Sequence, residues 1–242
     1  EIEDDCVDMA QAGIRPVFIF ESAYPAALKS RLGSAAPAVL YCLGNIRLLQ
    51  QKSVAILGHG EPSPRGEMIA FKAARELAMH SIPVISGLSK GTGVIAHTST
   101  LEAAGSTVGI LPCGMFTFSM SEKLQRLYDE DRFLITSPFY LKEDPTSFRA
   151  MERNRIICAL ASAVFITEAN SPAEGGIFEA GKSAHKIGVP LFTTEYSEYP
   201  PSAAGNPVLI SEYGAHAVRG RKDESGITPN MDQIIAKVRF TT

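Results

Sequence analysis

The chain has 242 residues, of which 45% are hydrophobic, and this is enough to bury a core in one domain with a small appendage. Its net charge is -3 and 20% of its residues are charged, which excludes both a disordered chain and a protein coated with basic residues. Any site for a nucleic acid must therefore be local.

The four cysteines are far apart and form no C-x-x-C pair, which argues against a zinc site and against a disulfide framework. A reducing cytoplasm fits this pattern, and we expect no metal and no cofactor. No apolar run approaches the roughly 18 residues that a membrane span needs, and no signal peptide opens the chain, so we expect no membrane partner.

In chain order, residues 1–36 are predicted to form an N-terminal extension. These residues and those that follow are predicted to form one strand, a short helix and a second strand, preceded by a proline, that extends a sheet. Residues 37–218 are predicted to form the main domain, and residues 219–242 a polar tail that ends in a short helix.

Within the main domain, short apolar runs alternate with stretches of helical period in residues 66–80, 94–105 and 178–188. Near-continuous apolar strands that alternate with helices indicate a mostly parallel sheet covered by helices on both faces. The fold class is therefore α/β and Rossmann-like. The predicted strands lie in residues 53–58, 82–87, 106–114, 132–137, 163–170 and 189–194.

Three turns that follow these strands are rich in glycine, and in a parallel sheet such turns gather at one edge. The first holds Gly58, His59 and Gly60, but Ser63 stands where a dinucleotide fingerprint has its third glycine, so NAD is disfavoured. His59 remains a candidate phosphate contact.

The second turn runs over residues 86–93, with Ser86, Gly87, Lys90 and Gly91, and leads into a helix. Glycines and hydroxyls at a helix N-terminus can hold an anion, although a plain tight turn explains them equally well.

The third turn holds Gly175 and Gly176, whose lack of side chains lets a ligand approach the backbone. Glu179 follows, either to contact a sugar hydroxyl or simply as a first-turn residue favoured by the helix dipole.

A predicted helix over residues 148–161 places Arg153 on the same face as Ile156 and Ile157, whereas Arg155 points away, near Glu152. A charge on a buried face needs a partner. That partner could be Glu174 or Glu179, or a phosphate, which the planar guanidinium suits well. We favour the phosphate.

Four segments, in this order, resemble the DNA processing protein A (DprA, also called Smf) family over residues 17–218. They are YPAALKSRLGSAAPAVLYCLGN (24–45), VISGLSKGTGVIAH (84–97), FRAMERNRIICALA (148–161) and GNPVLISEYGA (205–215). The resemblance implies a dimeric, cytoplasmic protein that binds single-stranded DNA and helps to load a RecA-type recombinase during natural transformation. By the same resemblance, phosphate contacts would come from Gly58, Ser86, Gly87, Lys90, Gly91, Arg153 and Asn154.

The chain also departs from the family pattern. Gly60 replaces an arginine, Thr92 and Gly93 replace an Ile-Asp pair, and Gly114 lacks the aspartate that follows it in the family. Glu174, Gly175 and Gly176 stand in place of a Ser-Gly-Ser turn. A lost basic residue and added acids should weaken affinity for DNA, which depends on phosphate neutralisation.

The wider Rossmann-like group includes the LOG nucleoside-monophosphate phosphoribohydrolases, which the segment Met151–Arg153 and the later Glu174–Glu179 turn also resemble. In that alternative Arg153 would hold a phosphate and Glu179 would contact the ribose during cleavage of the glycosidic bond, or the site would only bind a nucleotide. A third possibility is a scaffold without a ligand. We rank DNA binding first, and an enzyme is the less favoured reading.

Overall fold

The computed structural model describes residues 2–223 and 226–240. The helices are α1 (Ile2–Gln11), α2 (Ala26–Leu32), α3 (Pro64–Met79), α4 (Thr92–Glu102), α5 (Glu122–Leu127), α6 (Ser147–Leu160), α7 (Ile177–Lys186), α8 (Asn206–Tyr213) and α9 (Asp232–Phe240). The strands are β1 (Arg15–Phe18), β2 (Val39–Gly44), β3 (Val54–Leu57), β4 (Val84–Gly87), β5 (Thr107–Ile110), β6 (Phe133–Ser137), β7 (Ala163–Ile166), β8 (Leu191–Thr194), β9 (His216–Val218), β10 (Gly220–Asp223) and β11 (Gly226–Pro229).

The first nine strands form one sheet in the order β1-β2-β6-β5-β4-β3-β7-β8-β9. From β6 to β9 all neighbours are parallel, whereas β2 pairs antiparallel with β6 and β1 antiparallel with β2. The predicted Rossmann-like fold, with an N-terminal extension of its sheet, is confirmed. Each of the six apolar runs of the main domain contains a strand.

Helices bury both faces of this sheet, as the apolar strands require. Successive residues of β3 point to opposite sides: Ala55 and Leu57 join a core beneath α2, α6, α7 and α8, while Ile56 joins a core beneath α3 and α9. A third cluster around Phe133 and Leu141 fills the space below α5. The sheet is therefore a rigid central layer from which the turns project.

Several elements were not predicted from the sequence, namely α1, α5, α8, β9 and the two strands β10 and β11. Helix α1 is anchored to the loop before α6, because buried Asp5 accepts hydrogen bonds from Lys142 Nζ at 2.6 Å and from the Tyr140 hydroxyl. Strands β10 and β11 form a hairpin that lies against α3, where Lys72 Nζ donates to the carbonyl of Ile227 at 3.0 Å. The hairpin leads into α9, whose apolar side is buried.

The chain reverses its direction of travel across the sheet between β3 and β7. From β3 it moves outward to β4, β5 and β6, and it then returns to β7 and continues to β8 and β9. Ligands of such sheets bind at the carboxyl ends of the strands near this reversal. The three glycine turns all start from that edge. Among the described helices, none has the length and apolar character needed to cross a bilayer.

Candidate nucleic-acid interface

The first two glycine turns contact each other at the carboxyl edge of the sheet. The first residue of α4, Thr92, donates its N–H and its hydroxyl to the carbonyl of His59, at 3.3 and 3.1 Å. Gly91, which precedes α4, has a φ of 78°, and a Cβ atom there would overlap the carbonyl of Gly60. The second turn therefore needs glycine at this position for two reasons, its left-handed backbone and its close approach to the first turn.

Arg153 lies on this second turn, as its position in α6 predicted. Its side chain is buried, with 6% of the residue exposed. Nε donates to Asn154 Oδ1 at 2.9 Å, Nη1 to the carbonyl of Ile110 at 3.2 Å, and Nη2 to Ser89 Oγ at 3.4 Å. A Cβ atom on Gly87 would overlap Nη1, so this glycine makes room for the guanidinium.

All three acceptors of the Arg153 guanidinium are neutral. Within the described residues, no carboxylate lies within 4 Å of it, and neither Glu174 nor Glu179 provides the partner that one alternative required. Burial lowers the pKa of Arg153 to about 10, so the group keeps its proton at neutral pH. A buried cation with only neutral acceptors is a position where an anion would be strongly stabilised.

Lys90 and Glu61 join the two turns at their exposed rim. Lys90 Nζ donates to Glu61 Oε1 at 2.5 Å, and both side chains are about three-quarters exposed. The hydrogen bond from Lys90 lowers the pKa of Glu61. An exposed ion pair contributes little to stability. Lys90 can therefore exchange this carboxylate for a phosphate at low cost.

Three of the predicted site residues support the turns from the protein interior: Gly58, Ser86 and Asn154. A Cβ atom on Gly58 would overlap the hydroxyl of Thr167 and press on Thr92. The buried Ser86 hydroxyl donates to the carbonyl of Ile56 at 2.6 Å, and Asn154 Oδ1 accepts from Arg153. These residues hold the backbone and the guanidinium in place, and a direct phosphate contact from them remains a prediction.

The third turn has the open backbone that its sequence predicted. Gly175 and Gly176 have φ values of 69° and 64°, and a side chain on Gly175 would meet only open space. Glu179, in the first turn of α7, accepts from Lys182 Nζ at 2.8 Å. Among the described residues, none of this turn is a hydrogen-bond partner of Arg153, so the third turn does not share the guanidinium with the second.

Glu168 is a buried residue at this edge that the sequence analysis missed. It is 0% exposed and accepts from the N–H and hydroxyl of Ser63, at 2.8 and 2.5 Å, and from the Tyr196 hydroxyl at 3.0 Å. Ser63 is the N-cap of α3. The helix end that would hold the pyrophosphate of a dinucleotide is thus occupied by a carboxylate of the protein itself. Its only signal in the sequence is a charged residue within the apolar run of residues 163–170.

An exposed aromatic side chain lies at the start of α6. Phe148 is 66% exposed, and Met151, one turn later, is 46% exposed. The helix begins where Thr146 Oγ1 accepts from the N–H of Arg149 at 3.1 Å. Exposed aromatic rings next to a phosphate site serve as stacking surfaces for bases in single-stranded nucleic-acid binding.

The chain is similar to known proteins over most of its length. A family model described as DNA recombination-mediator protein A matches residues 15–226. The chain belongs to this family. A family relative, DNA processing protein DprA from Bacillus subtilis, is 26% identical over 216 residues, covering 88% of this chain and 71% of the relative. The Streptococcus pneumoniae DprA is 32% identical over 136 residues, covering 55% of this chain and 48% of that protein. The chain thus spans about half the length, or less, of several curated family members.

Solved structures of family members share the fold. The Streptococcus pneumoniae DprA structure has a TM-score of 0.76 at 27% identity, covering 90% of this chain and 76% of that one. DNA processing protein A from Helicobacter pylori, whose structure concerns its single-stranded DNA binding mode, has a TM-score of 0.70 at 25% identity, covering 84% of this chain and 90% of that one. A molybdenum cofactor binding protein from Rippkaea orientalis, at 16% identity and a TM-score of 0.51, shares the fold alone.

Proposed function

We propose that this protein binds single-stranded DNA along the carboxyl edge of its sheet and acts in DNA processing, recombination and natural transformation. One observation carries the proposal: Arg153 is a buried cation whose described partners are all neutral. A DNA phosphate would supply the missing negative charge. Family membership and the Helicobacter pylori relative support DNA as the source of that phosphate.

In this proposal the second turn holds the strand. A phosphate would replace Ser89 at Arg153 Nη2, because that contact is the longest of the three at 3.4 Å. Lys90 would leave Glu61 for a neighbouring phosphate, and the ring of Phe148 would stack on a base. Gly60, Gly175 and Gly176 would let the backbone approach the strand, with His59 beside it.

Replacing Arg153 with alanine should lower the affinity for a single-stranded oligonucleotide about ten- to a hundred-fold, because a hydrogen bond to a charged group is worth about 1.5–3 kcal/mol. Arg155 is the matched control: it lies on the same helix but contacts Glu152 at the surface, at 3.7 Å. Fluorescence anisotropy at several salt concentrations measures both variants. Arg153→Ala should also reduce the salt slope by about 0.7, the loss of one phosphate contact.

Equal losses in Arg153→Ala and Arg155→Ala would contradict the proposal, because they would indicate a diffuse surface charge. A failure of the wild-type protein to bind oligonucleotides, together with Glu179-dependent release of base from nucleoside monophosphates, would favour the phosphoribohydrolase alternative instead.

Gly87→Ala should lower DNA affinity about tenfold by a different route. The new methyl group would overlap Arg153 Nη1 and displace the guanidinium, while the rest of the turn could stay in place. Ser211→Ala is the control, since Ser211 is an exposed residue of α8 and has no part in the proposed DNA site. Anisotropy titrations should show weaker binding for Gly87→Ala alone. Unchanged binding would mean that the guanidinium can move without functional cost.

The remaining parts of the proposal concern the whole protein. We infer a cytoplasmic homodimer that loads a RecA-type recombinase onto single-stranded DNA, as the family resemblance implies. The three-part division at residues 36/37 and 218/219 stays a prediction as well. Light scattering of the free chain and co-sedimentation with a recombinase on oligonucleotides would test the dimer and the partner.

A further inference from the structure

A cavity of about 500 Å³ lies between the start of α3 and the β10–β11 hairpin. Its volume is within the range of small-molecule sites. Its floor is formed by the ends of β8 and β9, so it opens at the same carboxyl edge as the proposed DNA site, on the face of the sheet that α3 covers. The family model matches the chain only as far as residue 226, so the second strand of the hairpin, which forms one side of the cavity, lies almost wholly outside the matched region.

The walls of this cavity are apolar. Met68 and Ile69 of α3 form one wall, Val218 of β9 forms the base, and Ile227 of the hairpin forms the opposite wall. Val218 is buried, whereas Met68 and Ile227 are 50% and 64% exposed, so the cavity is open to solvent. Two facing apolar walls suit a flat ring that enters from the edge of the sheet.

A hydroxyl group lines the floor without a partner. Thr194 is 5% exposed, and its Oγ1 forms no hydrogen bond within the described residues. The nearby Tyr196 hydroxyl donates to Glu168, and no hydrogen bond joins its oxygen to Thr194 Oγ1. Leaving a buried hydroxyl unpaired costs about 1–3 kcal/mol. A ligand with a polar edge would remove this cost.

The cationic side chain of Arg65 lies at the opening of the cavity. The guanidinium of Arg65 lies over the ring of Tyr196, 5.3 Å from its centre, and forms no ion pair with a described carboxylate. Arg219 also lines the cavity, but it is paired with Glu195. The cavity therefore has apolar walls, the Thr194 hydroxyl at its floor, and at its opening the Arg65 guanidinium, which has no ion-pair partner among the described residues.

We propose that this cavity binds a nucleobase, with Thr194 Oγ1 hydrogen-bonded to the edge of the base and Arg65 beside the sugar-phosphate. The base could belong to a DNA strand or to a free nucleoside. The first source rests on the proposed function: the cavity and Arg153 are about four strand positions apart, roughly 20 Å, along one edge. A short single strand can span that distance.

The absence of tryptophan makes 2-aminopurine fluorescence a clean probe of this site. The wild-type protein should bind 2-aminopurine deoxyriboside, which carries no phosphate. Thr194→Val should weaken this binding about fivefold, the equivalent of one hydrogen bond. Ile227→Asp, at an exposed wall, should weaken it further. Thr193→Val is the matched control, because the Thr193 hydroxyl donates to the carbonyl of Ile166 at 2.9 Å and does not line the cavity.

A second arm uses an oligonucleotide that carries one 2-aminopurine. Loss of oligonucleotide binding in Arg153→Ala, with nucleoside binding retained, would support both proposals. Nucleoside binding without any binding of oligonucleotides would support the cavity as a site for free nucleosides and overturn the DNA function. No nucleoside binding, or equal binding by wild-type and Thr194→Val proteins, would overturn the cavity proposal and leave DNA binding intact.

Discussion

Replacing Glu168 with alanine is expected to lower the free energy of unfolding by about 4 kcal/mol, because the buried Tyr196 hydroxyl and the partly buried Ser63 N–H lose their acceptor. The carboxylate accepts hydrogen bonds from the N–H and hydroxyl of Ser63 and from the hydroxyl of Tyr196. After truncation the Ser63 N–H and the Tyr196 hydroxyl lose their acceptor inside the protein, and a cavity remains. Urea unfolding at pH 7, followed by circular dichroism, measures the change.

Glu67→Ala is the matched control for this prediction. Glu67 is an exposed acid in the first turn of the same helix, so its loss should cost less than about 1 kcal/mol. Glu168→Gln should lie between the two, since the amide keeps one acceptor oxygen. If Glu168→Ala and Glu67→Ala have equal stability, the carboxylate does not hold the start of α3.

The position of Glu168 also explains why phosphate contacts are assigned to the second turn. At the start of α3, the Ser63 N–H is bonded to Glu168, the Gly66 N–H is bonded to Ser63 Oγ, and Pro64 has no N–H. Few donors are left for a ligand, and an internal anion repels another one. The missing third glycine at position 63 is consistent with this, because Ser63 serves as a helix cap.

Local pattern was sufficient to predict the central sheet, because its strands are short apolar runs buried on both faces. It was insufficient for α1 and for the β10–β11 hairpin. Helix α1 is acidic and depends on a contact between Asp5 and Lys142, which are 137 positions apart in the chain. The hairpin is polar, and ion pairs of Arg221 with Glu76 and Asp232 join it to two helices. Such long-range contacts leave no periodicity in the sequence.

The helix face that carries the candidate site could be predicted from the sequence, but the contacts within the site could not. Helical period alone placed Arg153 on the buried face and Arg155 beside Glu152, and the structure confirms both. The acceptors of Arg153 were not predictable, because the carbonyl of Ile110 belongs to a strand 43 residues away. Glu168 was missed since nothing nearby in the chain reveals that Ser63 and Tyr196 converge on it.

Acidification from pH 6.5 to pH 4 is expected to destabilise the protein by on the order of 3 kcal/mol through His97. His97 is fully buried, and its Nδ1 lies 2.7 Å from Thr107 Oγ1. The Thr107 hydroxyl gives its hydrogen to the carbonyl of Val84 at 2.8 Å, so it accepts from His97 Nδ1. Burial lowers the pKa of His97 from 6.5 to about 4; the carbonyls of Gly87 and Ser86 oppose this shift only partly, and Arg153 adds to it.

The direction of this change in stability depends on whether the folded or the unfolded state binds a proton at the higher pH. Above pH 6.5 His97 is neutral in both states, so the full stability is present. As the pH falls from 6.5 towards 4, His97 becomes protonated in the unfolded chain but stays neutral in the folded protein, so the free energy of unfolding declines. Below pH 4 His97 is protonated in both states, and this decline ends. Urea unfolding at several pH values should show a shallower decline for His97→Gln, which cannot titrate, while the same change at exposed His80 should keep the wild-type slope. Parallel declines in the wild-type and His97→Gln proteins would show that other groups cause the acid sensitivity, because only the buried imidazole separates the two proteins.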